Sequence, residues 1–234
     1  MDHDRPTVRQ AANVVSVQKV MEDLEADIIF GRLRPNQELT EETLMERFSV
    51  KRHVVRSAIQ ELMLRRVVIK SRSKSARVKD FTLEEVREIY HMRALLQRDA
   101  ALIMPLPVSL EALTTLKQAY LDHAAAVSAG MDGGLIHRLN DVFHKRLFDL
   151  CCNLELCKAI AFYTEMSNPI RSYGIVDAGW LRQAVDEHAA MIAAIERQDR
   201  TVLANLVVEH MQPTRSRWES LHFAREFPDG KIAR

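Results

Sequence analysis

Thr40-Glu-Glu-Thr-Leu-Met-Glu-Arg-Phe-Ser-Val-Lys-Arg-His-Val-Val-Arg-Ser-Ala-Ile-Gln-Glu-Leu62 reads as two short helices split by a tight turn near Ser49 and Val50. Thr40 has the side chain of an N-cap, and Glu41 and Glu42 follow in the first turn, where the helix dipole favours negative charge. Leu44 and Phe48 face inward on the first helix. On the second, Val55, Ala58, Ile59 and Leu62 stack along one stripe, while Arg52, His53, Arg56 and Gln60 lie opposite. A helix buried along one stripe and presenting Arg and Gln outward suits guanine and adenine edges in a DNA major groove.

Upstream, Val17, Val20, Met21, Leu24 and Ile28 recur at helical spacing, so residues 14–30 form an amphipathic scaffold helix ended by Gly31, with Pro35 beyond. Downstream, Val67-Val68-Ile69, the basic turn Lys70-Ser-Arg-Ser-Lys-Ser75 and Ala76-Arg-Val78 predict a two-stranded hairpin. Two strands after a reading helix make a winged helix, and its tip brings Arg72 and Lys74 to phosphates or the minor groove. Charge supports this. Residues 1–80 hold 16 Lys/Arg against 12 Asp/Glu, whereas the remainder holds 17 against 20. Between residues 47 and 79, 11 basic residues face the single acid Glu61. Such an excess neutralises backbone phosphates and releases their counterions.

The 234 residues suit a small domain plus a larger one, and 47% apolar content is ample for burial. No apolar run approaches the roughly 18 residues of a membrane helix, and Met1-Asp-His-Asp-Arg-Pro-Thr-Val-Arg-Gln10 lacks the apolar segment of a signal peptide. The expected location is therefore the cytoplasm, away from membranes. Cys151, Cys152 and Cys157 have no metal-ligand spacing and cannot all pair, so they are expected to be core thiols.

Thr82 and Glu85 have capping-box spacing and mark a junction at Asp80–Glu85. Three segments follow: a winged-helix unit over residues 1–80, ordered from about 14; a helical unit over 81–225; and a tail, 226–234. In the second segment the helical period predicts helices near 83–103, 109–129, 135–151, 154–168, 178–197 and 200–222. Strand signals are almost absent. The expected class is mainly α, a winged helix-turn-helix followed by an all-α antiparallel bundle.

The order of the first helix, Gly31-Arg-Leu-Arg-Pro35, Leu39, Leu44, Val50-Lys-Arg-His-Val-Val-Arg-Ser-Ala-Ile59, Leu62 and a basic wing resembles the DNA-binding domain of the GntR family of bacterial transcription regulators. The family string runs close to V-S-R-T-P-V-R-E-A-L, matched by Val50, Arg52, Val55, Arg56 and Ala58, with Ile59 a conservative replacement. Lys51, His53 and Val54 depart from it, and Asn36, Arg66 and Ser75 stand where glycine is usual, which implies altered turns and an uncommon operator. The second half resembles the effector-binding helical domain of the FadR-like branch, of FCD type. Tyr90, Arg93 and Leu96 match Y-x-x-R-x-x-L-E, with Gln97 for the acid; Phe143 and His144 match D-x-x-F-H, with Asn140 for Asp; His188 and His210 match two later histidines.

The resemblance implies a DNA-binding homodimer on a palindromic operator, with reading helices about 34 Å apart, and a small organic acid as effector. Arg34, Lys51, Arg52, His53, Arg56, Arg72 and Lys74 are the candidate DNA contacts. Asn140 and His144 share one helix face, and His188 and His210 lie on later helices, so a bundle can bring all four to one interior point. Three imidazoles with one oxygen suit Zn²⁺ or Ni²⁺ and leave positions open for a carboxylate. The uncharged Asn140 amide should weaken that affinity, with Asp141 an approximate substitute. The competing arrangement is a metal-free pocket in which the histidines and Arg93 take the anion directly; Arg93 and Asn140 are the effector candidates in either case. His91, His123, His137 and His222 read as helix-surface residues. The function implied is a ligand-responsive regulator, a repressor first and an activator second, and not an enzyme. A three-histidine metalloenzyme would leave residues 47–79 unexplained. A winged helix serving as a protein-interaction module would need an apolar or acidic face in place of Arg52, His53 and Arg56.

Overall fold

The computed structural model describes residues 8–71, 74–171 and 178–226, and the chain divides after Phe81 into two compact units. The first comprises α1 (Val8–Ile29), β1 (Glu38–Leu39), α2 (Glu41–Phe48), α3 (Arg52–Leu64), β2 (Val68–Ile69) and β3 (Ala76–Val78). The scaffold helix is already present at Val8, the first described residue and upstream of the expected 14; residues 8–13 contain no proline or glycine to stop it. Thr40 caps α2 by accepting from Thr43 N, and Ser49 ends it with φ 51°, a left-handed turn that reverses the chain into α3. α3 buries Val54, Val55, Ala58, Ile59 and Leu62 and packs on α1 and α2. Leu62 is fully buried in this core; truncation to Ala there costs ~2–5 kcal/mol.

The wing differs from the expected two-stranded hairpin. β1 pairs antiparallel with β3, Glu38 opposite Arg77 and Leu39 opposite Ala76, giving a three-stranded sheet of order β1-β3-β2. A two-residue strand carries no alternation to read, and the pairing follows from Leu39 and Ala76 both being buried in one core. Of the three positions where glycine is usual, Asn36 (φ 64°) and Arg66 (φ 61°) keep a left-handed backbone, whereas Ser75 is not left-handed. Asn36 settles there by donating from its side chain to Asp80 Oδ2 at 2.8 Å. The turns that glycine would supply are therefore retained at Asn36 and Arg66 at a local steric cost.

The second unit comprises α4 (Leu83–Ile103), α5 (Leu110–Ser128), α6 (Gly133–Asp149), α7 (Leu154–Met166), α8 (Asn168–Arg171), α9 (Ala178–Glu196), α10 (Arg200–Glu209) and α11 (Gln212–Glu226). Thr82 and Glu85 form the expected capping box, at 3.0 and 3.2 Å. α5 stops at Gly130, whose φ of 60° lets Met131 N bond Ala126 O and turn the chain into α6. α4 packs on α10 and α7, α5 on α6, and α9 on α10 and α5, around a core that includes Phe143, Leu147, Met191 and Leu203. The expected helix over 200–222 is two helices. α10 ends at Glu209, and Pro213, which has no N–H to donate, lies in the first turn of α11. The break matters, because His210 sits at it. No described helix is long and apolar enough to cross a membrane.

Candidate functional sites

The first site is the exposed side of α3. Lys51, Arg52, His53, Arg56 and Gln60 are all exposed, and so are Arg34 and, near the wing tip, Lys74; Arg72 lies outside the described residues. The sequence pattern assigned Glu41 and Glu42 to the α2 dipole alone. They also hold the arginines. Arg56 Nε donates to Glu41 Oε1 at 2.8 Å, and Arg52 reaches Glu42 at 3.1 Å and Glu41 at 3.7 Å. The hydrogen bond from Arg56 holds the Glu41 carboxyl below the usual carboxylate range, and the same bond raises the Arg56 guanidinium. The two candidate reading side chains are thus both held against acids of the neighbouring helix.

The second site lies inside the helical unit. His144 projects from α6, His188 from α9 and His210 from the C-cap of α10. His144 Nε2 lies 3.2 Å from His210 Nε2 and 3.3 Å from His188 Nε2. All three candidate donor atoms fall within 4.8 Å of one another. Phe143 stacks on His188 with ring centroids 3.9 Å apart and fixes that ring. His210 Nδ1 pairs with Glu187 Oε2 at 2.5 Å, which turns the Nε2 lone pair inward. Burial pushes His144 and His188 well below the usual imidazole range; it also lowers His210, against the opposing pull of Glu187. Neutral imidazoles are the form that binds metal.

These donors fit a divalent ion. Tetrahedral Zn–N bonds of about 2.0–2.1 Å place neighbouring nitrogens about 3.3 Å apart, which the two His144 spacings reproduce. Asn140, half-buried one turn before His144, lines the same cavity and offers an amide oxygen. Asp141 is not the substitute ligand: Arg171 Nη2 donates to its Oδ1 at 2.6 Å. Burial pushes the Asp141 carboxyl up, but Arg171 and His137 draw it below its ordinary value. That carboxylate is already committed to Arg171, as the Glu187 carboxylate is to His210.

The cavity, about 50 Å³, is also lined by Arg93, His123, His137, Arg171, Trp180 and Thr214. Arg93 is only 5% exposed, and its Nε and Nη1 have no partner. Burial lowers its guanidinium to about 10, which still leaves it charged at neutral pH. Its guanidinium lies over the Tyr90 ring, 5.0 Å from the centroid. Three histidines expected on helix surfaces are buried. His123 and His137 line this cavity, because α5 and α6 turn those faces toward α9 and toward each other, and His222 stacks on Trp218 at 4.6 Å. His91 is exposed as expected. Arg171 and His123 were not singled out as site residues, and the pairing of Glu187 with His210 was not foreseen.

Two family models match this chain. Residues 16–78 match the bacterial regulatory proteins of the gntR family, and residues 88–213 match the FCD domain. The chain is a GntR-family transcription regulator with an FCD domain. It resembles the HTH-type transcriptional regulator YdhC of Bacillus subtilis, with 22% identity over 188 residues covering 80% of this chain and 84% of that protein. Among solved structures, McbR/YncC of E. coli superposes with a TM-score of 0.74 at 19% identity, covering 88% of this chain and 98% of that one. A GntR regulator from Rhodococcus sp. RHA1 gives 0.70 at 16%, covering 87% and 97%. At those identities the likeness speaks for the fold of this GntR-family regulator and not for its ligand.

Proposed function

We propose that this regulator is a repressor whose operator binding is modulated by a small organic acid held in the cavity of its helical unit. The observation that carries the reading is Arg93. A buried guanidinium with two unpartnered polar atoms is costly unless an anion completes it, and a carboxylate matches its parallel donors. Asn140, His144, His188 and His210 would hold Zn²⁺ or Ni²⁺, and the ion when bound would supply positive charge and open coordination positions next to Arg93. Trp180 lines the cavity, and Phe143 stacks on His188 beside it. Arg171, tied to Asp141, keeps its charge nearby without competing for the ligand.

On the DNA side, a cytoplasmic homodimer would set two α3 helices on a palindromic operator, with Arg34, Lys51, Arg52, His53, Arg56, Arg72 and Lys74 as its contacts. The units over residues 1–80 and 81–225 divide reading from sensing and dimerisation, with 226–234 as a tail. Effector occupancy shifts the population of the helical unit, and the Asp80–Glu85 junction passes the shift to the reading unit. Such coupling is reciprocal and typically spans about 5- to 150-fold.

The test is fluorescence anisotropy on the DNA upstream of the gene, with and without small mono- and dicarboxylates. Weakening of DNA binding by one acid supports the repressor reading; strengthening would favour an activator. No operator binding at low salt would overturn the proposal. Elemental analysis of the purified protein tests the metal: Asn140→Asp is expected to raise bound ion per chain, and no bound ion in either form would leave the anion on Arg93 and the histidines alone.

A further inference from the structure

Away from the histidine cavity, three thiols crowd the corner between α6 and α7. Cys151 is buried just past the end of α6, Cys152 is exposed, and Cys157 is partly buried in the first turn of α7. The expectation of core thiols fails at Cys152, whose φ of 56° sends the chain around a left-handed turn. That turn separates the neighbours: Cys152 faces solvent, while Cys151 points inward at Cys157. The Cys151 and Cys157 sulfurs lie 3.7 Å apart. A disulfide bond is about 2.05 Å, so closing it brings the two sulfurs nearer by about 1.7 Å. Phe148 O, 3.4 Å from the Cys157 sulfur, holds that side chain in place.

We propose that Cys151 and Cys157 form a reversible intrachain disulfide, closed by oxidants of the peroxide class and opened again by small thiols. Cys157, the less buried of the pair, attacks one peroxide oxygen as a thiolate. The O–O bond breaks, the departing hydroxide takes up a proton to leave as water, and a sulfenic acid remains on Cys157. Cys151 then attacks that sulfur; the S–O bond breaks, a second water leaves with the second thiol proton, and the S–S bond forms. Both sulfurs are oxidised and both peroxide oxygens are reduced. A thiol reverses the closure through a mixed disulfide. Burial, with Cys151 alongside, pushes the Cys157 thiol up to about 11, so the reduced pair reacts slowly at neutral pH and persists between oxidant exposures. The bond would staple α6, which carries Asn140 and His144, to α7, which packs on the helix of Arg93.

The test uses the full chain, folded, treated with hydrogen peroxide, alkylated at its remaining thiols and cut with a glutamate-specific protease. Glu155 lies between the two cysteines, so their fragments stay joined only through a disulfide. The wild type and Cys152→Ser should both give a joined Cys151–Cys157 fragment pair that separates on reduction. Cys157→Ser should give none, with Cys151 fully alkylated. The proposal is overturned if Cys151 and Cys157 alkylate fully in the wild type while Cys152 alone is oxidised. It is equally overturned if joined fragments come only from two different chains. Circular dichroism establishes that each variant is folded, and Cys152→Ser keeps the test decisive even if Cys157→Ser is not.

Discussion

Arginine is used in two opposite ways in the two units. Arg52 and Arg56 stand 50% and 59% exposed on α3, each paired with acids of α2. Arg93 is almost fully buried among the helices of the second unit, and its Nε and Nη1 are unpaired. Exposed charges are solvated, so their pairs are weak, salt-screened and easily exchanged for phosphate. A buried charge has lost its water, and leaving its polar atoms without partners is costly. On the function proposed above, the contrast separates a surface displaced onto DNA from a site completed by a ligand.

The largest expected effect probes the buried member. Arg93→Ala should cost an organic-acid effector ~2–5 kcal/mol of binding while leaving operator binding without effector unchanged; isothermal titration checks the first and anisotropy the second. Full retention of effector affinity would break the contrast. On the exposed side, Arg56→Ala should weaken specific operator binding about 10- to 100-fold with an unchanged unfolding midpoint. Unfolding of that variant would move Arg56 from the reading face into the core.

Two glutamates sharpen the comparison, since each fixes a partner in one of the two environments. Glu187→Gln loses the charge that orients buried His210 and should cut metal affinity about 10- to 100-fold, read by competition with a chromogenic chelator. The corresponding change at the surface, Glu41→Gln, should move operator affinity only a few-fold. Its direction is upward, because DNA no longer has to displace the carboxylate from Arg56 and Arg52, and the gain should shrink as salt is raised. Equal effects from the two substitutions would mean that burial does not set their weight.

Much of the DNA-reading unit was legible because its signals are local. The Thr40 cap, the alternation of buried Val55, Ala58, Ile59 and Leu62 with exposed Arg52, His53 and Arg56, and the basic wing all lie within short sequence distances. The third strand was not legible, since Glu38–Leu39 gains its partner only from β3 across the fold. In the helical unit the family resemblance singled out Arg93, Asn140, His144, His188 and His210, and the structure brings all except His188 to the lining of one cavity, with His188 3.3 Å from His144. The sequence pattern misplaced His123, His137 and His222 on the surface, because helical period tells which face a residue is on but not which faces find a neighbour. Asp141 looked like a spare ligand until Arg171, 30 residues away, was seen to hold it.

The sequence alone determined most of the helices and the basic reading stripe, which follow from residue type and spacing along one element, and its resemblance to a known family singled out the side chains that could serve a metal or an anion. Tertiary structure alone decided which of those groups are already partnered. It tied Asp141 to Arg171, Glu187 to His210 and Glu41 to Arg56, left Arg93 Nε and Nη1 without a partner, and set Cys151 against Cys157. The physical reason is that pairing and desolvation depend on side chains from elements far apart in the chain, whose approach is fixed only when the helices pack.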